Sequence, residues 1–172
     1  LTNKICFRGI KMSEEDKLSI EEASQTIQGI LETLVPPEEI EITNIFGEKF
    51  TVSGVCSARK QIKILRQIDK IRELGTDIEI EGSINGFING LVSLASNEEI
   101  LGILSGVFAD TYPKELEASK KAAKKLKVDF EDNVFAAADL FPLEEMAAAI
   151  VPLFIRLARR TGQAIQALSS VA

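Results

Sequence analysis

The sequence predicts a mainly α fold, a helical bundle that carries one N-terminal β-hairpin at about 40–56. Three observations predict it. Apolar residues recur at three- and four-residue spacing along most of the chain after residue 19. Strict alternation is confined chiefly to one stretch, where Ile40, Ile42, Asn44 and Phe46 are followed by Phe50, Val52, Gly54 and Cys56. The chain of 172 residues is 45% apolar but only 6% aromatic, so its core is built from aliphatic side chains, alanine and a few phenylalanines. That composition suits packed helices and supplies one domain of ordinary size. Residues 1–18 read as a leader or flexible N terminus, and 19–172 as a single helical domain. Met12 is a candidate start residue, and a fragment or processed chain accounts for the opening residues equally well.

Taken in order, Ser19-Ile20-Glu21-Glu22 forms a capping box for a first helix over 19–35, with Ile20, Ala23, Ile27, Ile30, Leu31 and Leu34 on one side. Pro36-Pro37 ends it. In the hairpin, Gly47-Glu48-Lys49 reads as the tip. A two-residue turn there would set the two apolar faces on opposite sides, whereas a three-residue loop pairs Phe46 with Phe50 and aligns them. The buried face fixes register, so the longer loop is expected.

A helix over 57–74 follows, with Ile64, Leu65, Ile68 and Ile71 on one side. Arg59, Lys63, Arg66 and Lys70 form a basic stripe on the other. Residues 56–75 carry a net charge of +4, although the whole chain is at −6. Asp77–Glu81 alternates and reads as a short strand or an extended linker. Gly82, Gly86 and Gly90, then Gly102 and Gly106, are spaced by four, a pattern that permits close backbone approach or marks a loose helix. Ser96-Asn97-Glu98-Glu99 is a second capping box, leading into Ile100, Leu101, Leu104, Val107 and Phe108. Pro113 opens the next helix, with Leu116, Ala123 and Leu126 inward and Lys120, Lys121, Lys124, Lys125 and Lys127 outward. Asp129 is placed to cap a helix holding Phe130, Val134, Ala137 and Phe141. A last helix is expected over 142–160, kinked at Pro152, with Gly162 as its end and a further turn or two over 163–168.

The chain has no histidine, which removes Ser-His-Asp and Cys-His catalysis and His-containing metal sites. It has neither a Walker loop nor a G-x-G-x-x-G after a strand. Asp129, Glu131 and Asp132 lack the spacing of a calcium loop, and Glu144-Glu145 suits the first turn of a helix. Cys56, near Arg59 and Lys60, is read as an inward strand residue in preference to a reactive thiol. With Cys6 it makes no disulfide framework, so a reducing cytoplasm is expected. The longest uncharged run, 82–97, is too short and polar to span a bilayer. The expectation is therefore no catalytic residue, no metal and no cofactor.

What remains is binding. The basic stripe Arg59, Lys63, Arg66 and Lys70 either bonds to acids of its own domain or forms a contact surface for an acidic partner or another copy of the chain. Ile150 and Phe154, within the apolar run 146–155, are candidate contacts for a protein partner or for self-association. A homo-oligomer is expected, without nucleic acid or membrane; net acidity and the lack of interleaved aromatics disfavour nucleic acid.

The order EIEITNIFGEKFTVSGVCSARKQIKILRQIDKI over 39–71 resembles the tail assembly chaperones of tailed bacteriophages, with EEILGILSGVFA as looser support. In that family a strand, a tight turn and a second strand lead into a Lys/Arg/Gln-bearing helix and then an acidic helical bundle. The resemblance implies a non-catalytic holdase that keeps a long helical tape-measure protein soluble. The helix over 143–160 has no place in that pattern. The alternative is a structural subunit of a virion or other large assembly, which self-association through 147–155 would favour.

Overall fold

The computed structural model describes residues 3–6, 36–74, 77–80 and 84–171. Its elements are β1 (Asn3–Cys6), β2 (Glu39–Thr43), β3 (Lys49–Ser53), α1 (Ala58–Glu73), β4 (Asp77–Ile80), α2 (Ile84–Leu94), α3 (Glu98–Thr111), α4 (Pro113–Leu126), α5 (Ala136–Leu140) and α6 (Leu143–Val171). The fold is mainly α with a two-stranded antiparallel hairpin, as the periodicities predict. The helix expected over 19–35 lies outside the described residues. A second antiparallel pair joins β1 to β4 in the register Asn3↔Ile80 to Cys6↔Asp77. Residues expected in a leader are therefore part of a strand, and Asp77–Ile80 is a strand rather than a linker.

The hairpin pairs Ile42 with Phe50 and Ile40 with Val52. Its two apolar faces align, with Ile42 and Val52 buried, but the register differs from the expected one. The Asn44 amide N–H donates to the Glu48 carbonyl at 3.0 Å, closing a three-residue loop over 45–47 instead of 47–49. Gly47 sits there at φ 81°, in the left-handed region that favours glycine at the end of such loops. The Asn44 side chain fixes the choice. Its Oδ1 accepts from the amides of Phe46 (3.0 Å) and Glu48 (2.9 Å), and its Nδ2 donates to Glu48 Oε2 (2.8 Å) and Ser119 Oγ (3.0 Å). All four bonds an amide side chain is able to make are thereby used, which buried Asn44 requires.

The loop is bolted to three helices. The Ser119 bond reaches α4, the Ile45 amide donates to the Leu140 carbonyl at the end of α5, and the Thr43 amide donates to Glu145 Oε2 at the start of α6. Gly54 makes a further close approach: a Cβ there would stand 2.6 Å from the Pro37 carbonyl oxygen. Arg156 Nη2 donates to the carbonyls of Pro36 and Pro37 at 2.8 and 2.9 Å, tying the hairpin entrance to α6.

α3 runs through the middle, packed by α1, α4, α5 and α6. Ile100, Leu104 and Phe108 are fully buried on it. Phe108 meets Tyr112 edge-on at 5.3 Å and Phe141 at 4.7 Å, and Phe141 reaches Phe50 of the hairpin at 6.1 Å. The cap of α3 is Asn97 and not Ser96; Asn97 Oδ1 accepts from the Glu99 and Ile100 amides. Asp129 caps nothing. The helix expected there is only α5, and its third amide, Ala138, donates to the Ser105 hydroxyl of α3 at 3.1 Å. Leu126, expected inward, is 59% exposed, because α4 ends there and Lys127 turns away at φ 55°. The last helix is longer than expected. It passes Gly162 and continues to Val171, with the Pro152 ring buried inside it.

Tyr112 joins α3 to α4 and locks both to the hairpin and α6. Its hydroxyl donates to the Ser53 carbonyl at 3.0 Å, with the Ala149 carbonyl 3.2 Å away. Burial above all, aided by Cys56 and Glu115, pushes its phenol well above the usual value of 10.0. Below that value both folded and unfolded chains hold a neutral phenol. Above it the unfolded chain ionises first, so stability falls as pH rises toward the folded pKa. Tyr112 is the only tyrosine and tryptophan is absent, so phenolate absorbance reads this one group. We expect it to ionise only as the chain unfolds, well above the midpoint of a free tyrosine; titration of a still-folded chain near pH 10 would contradict the burial.

Candidate functional site

α1 lies antiparallel to α3, and the contacts between them follow from side chains of opposite character. Ile64 of α1 is buried against the core. Lys60 Nζ donates to the Thr111 carbonyl at 2.9 Å, answering an orphan carbonyl at the C-terminal end of α3. One turn on, Lys63 Nζ stands 3.8 Å from Asp110, a solvent-exposed pair that contributes little to stability. The remaining members of the predicted stripe, Arg59, Arg66 and Lys70, are exposed. Leu65, expected on the apolar side, is 38% exposed and Ile62 is 54% exposed, because the buried face of α1 is narrower than the stripe of apolar residues.

Beside Lys70 an open groove of about 600 Å³ runs along the outer face of α3. Its floor is Gly102, Ile103 and Gly106; its walls are Gln67 and Lys70 of α1 on one side and Val134 and Phe135 on the other. The two glycines lie one turn apart on the same face. A Cβ at Gly102 would stand 3.3 Å from the Phe135 ring, and one at Gly106 would stand 3.6 Å from Val134 Cγ2. Gly102 is buried and lets the Phe135 ring pack onto α3, whereas Gly106 is partly exposed and keeps the groove open beside Val134. Val134 contributes a half-exposed apolar wall at 51%. Glu98 and Glu99 stand exposed at one end of the groove and Asp110 at the other. A smaller depression between Lys60, Ile64 and Thr111 holds only about 10 Å³.

The other candidates are placed differently. Ile150 is fully buried and Phe154 is half-buried against the same core, so the run 146–155 packs inside the chain instead of presenting a surface. Cys56 lies past the end of β3, half-buried, and burial pushes its thiol up despite nearby Lys60 and Arg160, which keeps it protonated and poorly nucleophilic. The acids near 129–133 serve local bonds. Asp132 pairs with Lys120 at 2.7 Å, which holds its carboxyl below the usual range. Asn133 Nδ2 donates to Glu131 Oε2 at 2.8 Å. Glu145 accepts from Thr43 in the first turn of α6. Among the described residues no three His, Cys, Asp or Glu side chains are gathered to hold a metal ion, and no helix is long and apolar enough to cross a membrane.

No family model, curated protein or solved structure matches the chain. The groove is thus argued from its own residues. Sequence reasoning found one wall, through Lys70, and noted the glycine spacing without assigning it to a site. It missed Val134 and Phe135, because the helix expected after Asp129 made Val134 a core position and gave Phe135 no role. The glycines yield a direct check. Gly106→Ala meets only an ordinary van der Waals contact and removes a helix-weakening residue, so it is expected to raise the unfolding free energy by up to about 1 kcal/mol. Urea denaturation measures this; a loss of similar size would mean that the face of α3 is not open.

Proposed function

We propose that this chain is a non-enzymatic protein-binding module that receives an amphipathic helix of another protein in the groove between α1, α3 and the 134–135 wall. The observation that carries the reading is the outer face of α3, where Ile103 and Gly106 floor an open channel beside Gly102, which is itself buried against the Phe135 ring. Helix-in-groove recognition places apolar anchors of one helix into such a channel. Close approach over glycine raises the contact area available to each anchor. The acids described above serve as caps and local bond acceptors, so the reading needs no reacting group.

The resemblance of 39–71 to tail assembly chaperones agrees with this and makes it specific. The client would be a long helical protein that aggregates when its apolar faces are free, and the chain would shield those faces during assembly. The second reading, a structural subunit, drew on self-association through 147–155. With Ala147, Ala149, Ile150, Val151, Leu153 and Ile155 buried, nothing in that segment favours it.

Co-expression with a phage tape-measure protein tests the proposal. The native chain is expected to move the client into the soluble fraction and to co-purify with it as a small complex by light scattering. Gly106→Leu, which fills the channel, should fold but lose the client. A client that stays insoluble with the native chain, or that binds Gly106→Leu equally well, would refute the reading.

A further inference from the structure

The charges around the groove are unevenly satisfied, and this bears on what enters it; the inference rests on the groove reading above. At the Asp110 end the acid of α3 is answered by Lys63 of α1. At the opposite end Lys70, Glu98 and Glu99 are all exposed, and none has an ion-pair partner among the described residues. Lys70 and Glu98 stand on opposite walls, and Glu99, about three turns before Asp110 on the same side of α3, lies on the floor between them. Lys70 belongs to the α1 wall. Glu98 precedes Gly102 by one turn, so it shares the side of α3 that faces Phe135. One end of the channel therefore carries a free cation on one wall and a free acid on the other. Glu98 and Glu99 also suit the positive N-terminal end of α3, but that interaction leaves their outer oxygens open to a partner.

We infer that the groove selects an amphipathic helix with oppositely charged flanks: an apolar stripe facing Ile103 and Gly106, an acidic residue on the flank toward Lys70, and a basic residue at the same level on the flank toward Glu98. A large apolar side chain fills the glycine pit, and the two flanking charges fix the direction in which the helix lies. Such rim pairs add modest affinity but suppress the wrong arrangement, since like charges would face each other across the rim. A uniformly acidic helix meets Glu98, and a uniformly basic one meets Lys70.

Three synthetic helical peptides with the same apolar stripe test this by fluorescence anisotropy on the full chain. One carries glutamates on one flank and lysines on the other, one is all-glutamate, and one is all-lysine. The mixed peptide is expected to bind about fivefold more tightly than either of the others, with the advantage shrinking as salt rises. In Lys70→Glu the all-lysine peptide should become the tightest. Equal binding of all three peptides, or an unchanged ranking in Lys70→Glu, would overturn the charge inference while leaving the groove reading standing. Binding of none of them, or a self-associated dimer that Gly106→Leu dissociates, would overturn both.

Discussion

The structure depends on the enclosure of α3. Ile100, Leu104, Ser105 and Phe108 have essentially no exposure, and α1, α4, α5 and α6 all pack against this one helix. Phe108 links Tyr112 to Phe141, and Phe141 carries the contact to Phe50, so the hairpin is joined to the helices by rings and not only by loops. Polar groups at the helix are used in the same spirit. The Ser105 hydroxyl caps α5, Thr111 Oγ1 donates back to the Val107 carbonyl at 2.7 Å, and Lys60 answers the Thr111 carbonyl. A helix held on so many sides is a rigid support for whatever its one open face presents.

That open face follows from residue size. Along the outer side of α3 the residues are Gly102, Ile103 and Gly106, and the neighbouring wall stops at Val134 and Phe135. A larger residue at Gly106 would close the channel from within, and one at Gly102 would push against the Phe135 ring. The basic stripe of α1 borders it on one side. The stripe divides its work: Lys63 answers an acid of the same chain, and Arg59, Arg66 and Lys70 remain exposed. Of the expectations for the stripe, internal pairing describes Lys63 alone among the described residues.

Much of the fold was legible because it rests on periodicity. The hairpin faces, α1, the apolar side of α3 and the proline start of α4 all follow from spacing. The hairpin register did not, because a shift of an even number of residues keeps both apolar faces inward and the pattern is blind to it. Asn44 decided the matter through bonds to Phe46, Glu48 and Ser119, the last of them 75 residues away. The pairing of β1 with β4 is likewise long-range, and no local feature of Asn3–Cys6 announces it. At 129–141 the apolar residues are helical in spacing, yet Asn133 and Asp139 bond the backbone of Phe135 and Glu131 and hold the chain in turns before α5. The site suffered most from this, since Val134 and Phe135 become a groove wall only when that helix is short. Ile150 failed as a contact residue for the opposite reason. An apolar run on a long helix reads the same whether it faces a partner or its own core.

Native-state hydrogen exchange tests the central claim most directly. If α3 is the enclosed support, its central amides, 104–108, exchange only through global unfolding, with the free energy found by denaturant. Exchange of those amides through local opening, as fast as the exposed turns of α1, would contradict the account.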